Sequence, residues 1–187
     1  MSAFLPARDG QSLLQLGEID GVGVDPGLDA GSGHHQGDVE HGLNIVRSFA
    51  KIVKEQDARA ALKFQFRQLD TFIHRDHQQN SDHKQVQRFL STRLSRDDFQ
   101  VLLDEVRSQG LVTMCTPFDE ASVDVICEMD FDIIKVASCS GRDWPLLEKV
   151  ADAGKPVIFS TGGLSLRDID NLVSFFEHRG VHFAIMH

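Results

Sequence analysis

The sequence contains no tyrosine and one tryptophan, although phenylalanine occurs 13 times; no physical reason for that bias is evident. It has only three cysteines, Cys115, Cys127 and Cys139, and no C-x-x-C pair. So sparse and odd a set argues against a disulfide framework and fits reduced thiols in a cytosol. A positive balance is also lacking. The formal net charge is -9 and the pI about 5.4, which argues against a nucleic-acid surface. Any anionic ligand must be held by local positive groups against the global field. No apolar run approaches the roughly 18 residues of a membrane span, and the N-terminus lacks a basic-then-apolar signal pattern. No membrane partner and a cytoplasmic location are therefore expected. Neither G-x-G-x-x-G nor G-x-x-x-x-G-K-[ST] follows a strand, which removes the signature of a doubly wound nucleotide binder.

What is present is regular alternation. Residues 1–33 are glycine-rich and poor in apolar periodicity, and read as an irregular or disordered segment with at best a short strand at Leu13 to Leu16 or Val22 to Val24. From Asp38 onward Leu43, Val46, Phe49 and Val53 recur at helical spacing. A strand is expected at 60–66, then a long polar connection at 67–91 carrying His74, His77 and His83. Ser95-Arg96-Asp97-Asp98 starts a helix to Gln109. Strands at 111–116, 133–137, 156–160 and 181–187 then alternate with helices at 119–129, 144–153 and 165–179. The strands lack apolar alternation, as when both faces of a parallel sheet are buried. This is an α/β pattern.

Chemistry-bearing residues fall at the C-terminal ends of successive strands: Lys63 and Gln65, Thr116, Lys135 and Ser138, Ser160 and Thr161, His187. That is where a (β/α)₈ barrel builds its active site. Such a barrel takes about 250 residues, and this chain supplies five clear strands, with a sixth less certain. The expected fold is a partial (β/α)₈ TIM barrel of about five to six βα units over residues 34–187. A lysine in a buried strand is costly unless its charge is satisfied. Lys63 and Lys135, with hydroxyls of Thr116, Ser138, Ser160 and Thr161, suit a phosphate or carboxylate. Gly162 and Gly163 precede a helix, a favourable anion position.

Several ordered segments resemble the sialic acid synthase family. They are His35-Gln36-Gly37-Asp38, Lys63-Phe64-Gln65, Cys115-Thr116-Pro117-Phe118-Asp119-Glu120, Lys135-Val136-Ala137-Ser138, Pro145-Leu146-Leu147-Glu148, Gly154-Lys155-Pro156-Val157-Ile158, Ser160-Thr161-Gly162-Gly163 and Met186-His187. The resemblance implies a barrel enzyme that condenses phosphoenolpyruvate with an N-acetylated amino-sugar aldehyde, giving a nonulosonic acid such as N-acetylneuraminate. It implies that Lys63, Thr116, Lys135, Ser138, Thr161 and Gly162 hold phosphoenolpyruvate, with Gln65, Ser160 and His187 beside them, and that Lys63 and Lys135 are catalytic. It implies a divalent metal, manganese or magnesium, acting as a Lewis acid, with ligands on later strands outside this chain. No metal ligand is assigned here. The resemblance further implies a homodimer when full length.

The sequence also departs from that family. A Glu-Ile-Gly-x-Asn-His-x-Gly stretch usually ends the first strand; here Ala30 to Gly37 aligns with it, so the glutamate is Ala30 and the preceding apolar strand is missing. Ser140 stands where an acidic residue is common. The chain therefore reads as a fragment of the catalytic barrel, inactive alone. Two other readings stay open: a barrel remnant that acts only through association, and a metal-independent class I aldolase using Lys135 as a Schiff-base lysine. His74 and His77 read as solvated loop histidines, His35 as shaping the barrel mouth, and Cys115 and Cys139 as buried spectators. Asp119 and Glu120 read as acids at a helix start, favoured by the dipole.

Overall fold

A computed structural model describes residues 14–18, 36–78 and 82–187, the first of these as backbone only. In chain order the elements are β1 (Leu14–Glu18), α1 (Val39–Glu55), β2 (Arg59–Phe66), α2 (Leu69–Phe72), α3 (Lys84–Ser91), α4 (Arg96–Ser108), β3 (Val112–Pro117), α5 (Glu120–Glu128), β4 (Ile133–Val136), α6 (Trp144–Asp152), β5 (Val157–Ser160), α7 (Leu166–His178) and β6 (Phe183–Met186), with 3₁₀ turns at Arg75–His77 and Ser138–Ser140. Two compact units result, one from Met1–Gln65 with Leu69–Thr113, the other from Phe66–Gln68 with Met114–His187.

In the first unit β1 and β2 pair in parallel, Leu14 with Arg59 through Glu18 with Lys63. α1 forms because its apolar residues fall on one stripe: Leu43, Val46, Ala50 and Val53 are all buried. That stripe packs on α4, whose Leu102, Leu103 and Val106 are fully buried. The rim of this contact carries a two-pronged ion pair, Arg47 Nε to Glu105 Oε1 at 3.0 Å and Nη2 to Oε2 at 3.4 Å. A reciprocal capping box fixes the start of α4, Ser95 with Asp98. Gly110 ends it at φ +73, a conformation that favours glycine.

In the second unit β3, β4, β5 and β6 are successive parallel neighbours. All four residues of β4 are buried, Lys135 among them, so the missing alternation does reflect two covered faces. Helices α5, α6 and α7 supply buried Val123, Ile126, Leu146, Leu147, Val150, Leu172 and Phe176. Phe159 of β5 stacks on Phe176 at 5.7 Å and tilts against Phe183 at 5.5 Å. Burying one such ring stabilises the fold by about 1.5–3 kcal/mol.

Two expectations need correction. The stretch 67–91 is not one polar loop. Phe72 and Phe89 meet edge-on at 5.9 Å and Ile73 is only 4% exposed, so a few apolar anchors suffice to fold α2, the 3₁₀ turn and α3. The N-terminal segment includes β1, which overlaps the short strand allowed at Leu13 to Leu16 and pairs with β2. Cys139 is exposed, because the chain turns outward at Ser138–Ser140; Cys115 is buried as expected. The five strands expected from residue 60 onward are all present, with ends shifted by one or two residues. His34 and His35 lie outside the described residues.

Candidate active site

β4 carries the central side chain. Lys135 is 7% exposed. Its Nζ donates to Ser160 Oγ at 2.5 Å and to the Val136 carbonyl at 3.1 Å. The pairing explains the reach. Lys135 is in register with Ile158, so Ser160 lies two residues further along β5 on the same face. These two bonds place the Lys135 side chain at the C-terminal ends of β4 and β5.

Thr116 is next to it. β3 pairs Cys115 with Ile134, and one step further in that register is Thr116 beside Lys135. Thr116 is 2% exposed, and its Oγ1 is buried with no hydrogen-bond partner among the described residues. A buried hydroxyl left without a partner costs about 1–3 kcal/mol. Native structures keep few such groups.

The loop after β5 continues the set. Thr161 is 1% exposed. Its hydroxyl donates to the Met186 carbonyl at 3.1 Å and lies 2.9 Å from His187 Nδ1. The His187 imidazole is itself exposed. Gly162 follows, and a Cβ placed on it would lie 3.7 Å from Ser138 Oγ. The hydroxyl of Ser138 thus faces the Gly162 backbone across the two loops.

The second unit therefore brings together Thr116, Lys135, Ser138, Ser160, Thr161, Gly162 and His187. Lys63 and Gln65 lie in the first unit, on β2. Both are half-buried, on the face opposite buried Phe64 and Phe66, so the shared face expected from their spacing is present. Glu18 ends β1 in register with Lys63.

A family model described as the NeuB family matches residues 50–187. The chain belongs to the NeuB family. It is 32% identical over 153 residues to the uncharacterized protein MJ1065 of Methanocaldococcus jannaschii, covering 82% of this chain and 42% of that protein. It is 28% identical over 144 residues to the N,N'-diacetyllegionaminic acid synthase of Legionella pneumophila, covering 73% and 39%. The crystal structure of a spore coat polysaccharide biosynthesis protein E from Chromobacterium violaceum superposes with a TM-score of 0.82 at 42% identity, covering 92% of this chain and 48% of that one. The chain thus spans less than half the length of these NeuB-family relatives. Its fold is α/β, part of a TIM-barrel-like architecture.

Sequence reasoning missed Arg142 and Asp168, which join the loops after β4 and β5. Their positions, 26 residues apart, gave no signal. Among the described residues no three His, Cys, Asp or Glu side chains converge as a metal site. Nor is any helix among them long and apolar enough to cross a membrane.

Proposed function

We propose that this chain carries the phosphoenolpyruvate-binding part of a nonulosonate synthase, which condenses phosphoenolpyruvate with an N-acetylated amino-sugar aldehyde. The observation that carries the reading is the buried Lys135 ammonium beside the orphaned Thr116 hydroxyl. A ligand oxygen there would give the Thr116 hydroxyl a partner and lie beside the Lys135 side chain. Membership of the NeuB family, and the activity named for the Legionella relative, supply the reaction class.

In this reaction the enol carbon C3 of phosphoenolpyruvate forms a bond to the aldehyde carbon, and the carbonyl oxygen takes up a proton. Water adds to the cationic C2. The C2–O bond to phosphate then breaks, releasing inorganic phosphate and the 2-keto acid. Lys135 balances ligand charge, while Thr116 and Ser138 donate hydrogen bonds. Lys63, as a second catalytic lysine, and Gln65, both on β2 of the first unit, are the further substrate-binding residues of the proposal, and His187 belongs to the set in the second unit. The divalent manganese or magnesium ion expected from the family belongs to the proposal, but the described residues do not form its site and no step is routed through it. A cytosolic homodimer of full-length subunits is part of the same reading.

Calorimetric titration with phosphoenolpyruvate tests it. Lys135→Met should weaken binding at least about tenfold, or 1.4 kcal/mol. Borohydride trapping of a carbonyl substrate on Lys135, with turnover independent of phosphoenolpyruvate, would replace it with the class I aldolase reading.

A further inference from the structure

We propose that Arg142 is a positioning residue: through Asp168 it latches the loop after β4 to the loop after β5, and so sets Ser138 against Gly162 at the anion site. The proposal rests on the phosphoenolpyruvate reading of that site.

Three contacts occur in the same order along the two loops. At the strand ends, Ser138 Oγ faces Gly162. In the middle, a Cβ on Gly141 would come within 2.7 Å of Leu164 Cδ1, so the backbone of one loop lies directly against a side chain of the other. At the far ends, Arg142 Nη2 donates to Asp168 Oδ2 at 2.7 Å. The same Asp168 oxygen accepts from Ser165 N at 3.0 Å and Ser165 Oγ at 2.6 Å. One carboxylate therefore fixes the start of α7 and holds the other loop to it.

The latch is built on one side and open on the other. Asp168 keeps 20% of its side-chain exposure and Arg142 keeps 63%. The arginine is thus a strap over a rigid post, and an exposed pair of this kind contributes little to global stability. Its effect is local: without it the loop after β4 keeps the Ser138–Gly162 and Gly141–Leu164 contacts but loses its hydrogen bond to Asp168. The Arg142 guanidinium, then the Ser165 hydroxyl, hold the Asp168 carboxyl well below the usual carboxylate range. The latch consequently stays charged across the working pH of a cytosolic enzyme.

Titration calorimetry with phosphoenolpyruvate on the full chain and its variants tests this, with inorganic phosphate as a second probe. Arg142→Ala and Asp168→Asn should each weaken phosphoenolpyruvate binding about three- to tenfold, the range of coupling through a packed element. Arg142→Lys should recover part of the loss, since an ammonium reaches one oxygen but lacks the fork. A merely structural loop role is separated by a double-mutant cycle. In a Ser138→Ala background, Arg142→Ala should cost nothing further, because its action runs through Ser138. Wild-type binding with an unchanged Arg142→Ala affinity, or additive losses in the cycle, would overturn the latch while leaving the site intact. Absence of binding by the wild-type chain would overturn both.

Discussion

Lys135 Nζ and Ser160 Oγ lie 2.5 Å apart, joining the C-terminal ends of β4 and β5 through a charge-assisted hydrogen bond. The ammonium is almost wholly buried, so this oxygen stands in for water that burial removed. Ser160→Ala takes away that acceptor. Hydrogen bonds to charged groups contribute about 1.5–3 kcal/mol, and a loss of that size should appear as a lower urea midpoint at unchanged m-value.

Thr116 should respond in the opposite sense. Its buried hydroxyl has no partner among the described residues, so Thr116→Val removes an unmet polar group at nearly constant volume. The variant should be as stable as the parent or more so, by up to about 1 kcal/mol, while binding phosphoenolpyruvate less tightly. Urea unfolding and calorimetry on the same preparation check both halves. A residue that is merely structural would lose stability and leave affinity alone.

Asp119 offers a separable pair of roles. Oδ1 accepts from Ser122 N and Oγ, both at 2.7 Å, capping α5, while Oδ2 accepts from Gln68 N at 2.7 Å. Phe118 N also donates to Phe66 O at 3.1 Å, so this aspartate ties the end of β2 to the start of α5. Asp119→Ala should cost about 1–2 kcal/mol through the cap alone. Asp119→Ser preserves a capping oxygen and loses the reach to Gln68. Amide hydrogen exchange should then rise at Gln68 and stay low in the first turn of α5.

Acid should unfold the protein through identifiable carboxylates. Asp98, Glu105 and Asp168 are each held below their usual range: by Ser95, by Arg47 and by Arg142 with Ser165. A depressed folded-state value means the unfolded chain binds protons first as pH falls. The stabilisation is therefore complete above the unfolded carboxylate range near pH 4 and drains away below it. Asp168→Asn should flatten the acid limb of a stability–pH curve by lowering its neutral plateau toward the acid value.

The strands from residue 60 onward were legible because parallel strands buried on both faces appear as short unbroken apolar runs, as Val157-Ile158-Phe159 does. Lys135, Thr116 and Thr161 were legible because polar residues ending such runs have few structural reasons to be there. α3 was not, since its stripe amounts to Val86, Phe89 and Leu90 inside a run of charged and amide side chains. β1 was legible only in part, as the short strand at Leu13 to Leu16, because its pairing with β2 depends on contacts about 45 residues away in register, Glu18 with Lys63. The Arg142–Asp168 latch was invisible for the same reason: an exposed arginine and a helix-start aspartate each have an ordinary local explanation. Helix starts, by contrast, were plain from Ser95 and Ser165, whose capping partners lie three residues on.

Calorimetric titration of phosphoenolpyruvate into the 187-residue chain and its Lys135→Met variant asks most directly whether the Lys135 cluster is an anion site. Saturable binding to the parent, weakened at least about tenfold in the variant, or 1.4 kcal/mol, is the expected result. Equal affinity in the two proteins, or no binding by a folded parent at millimolar ligand, would contradict it.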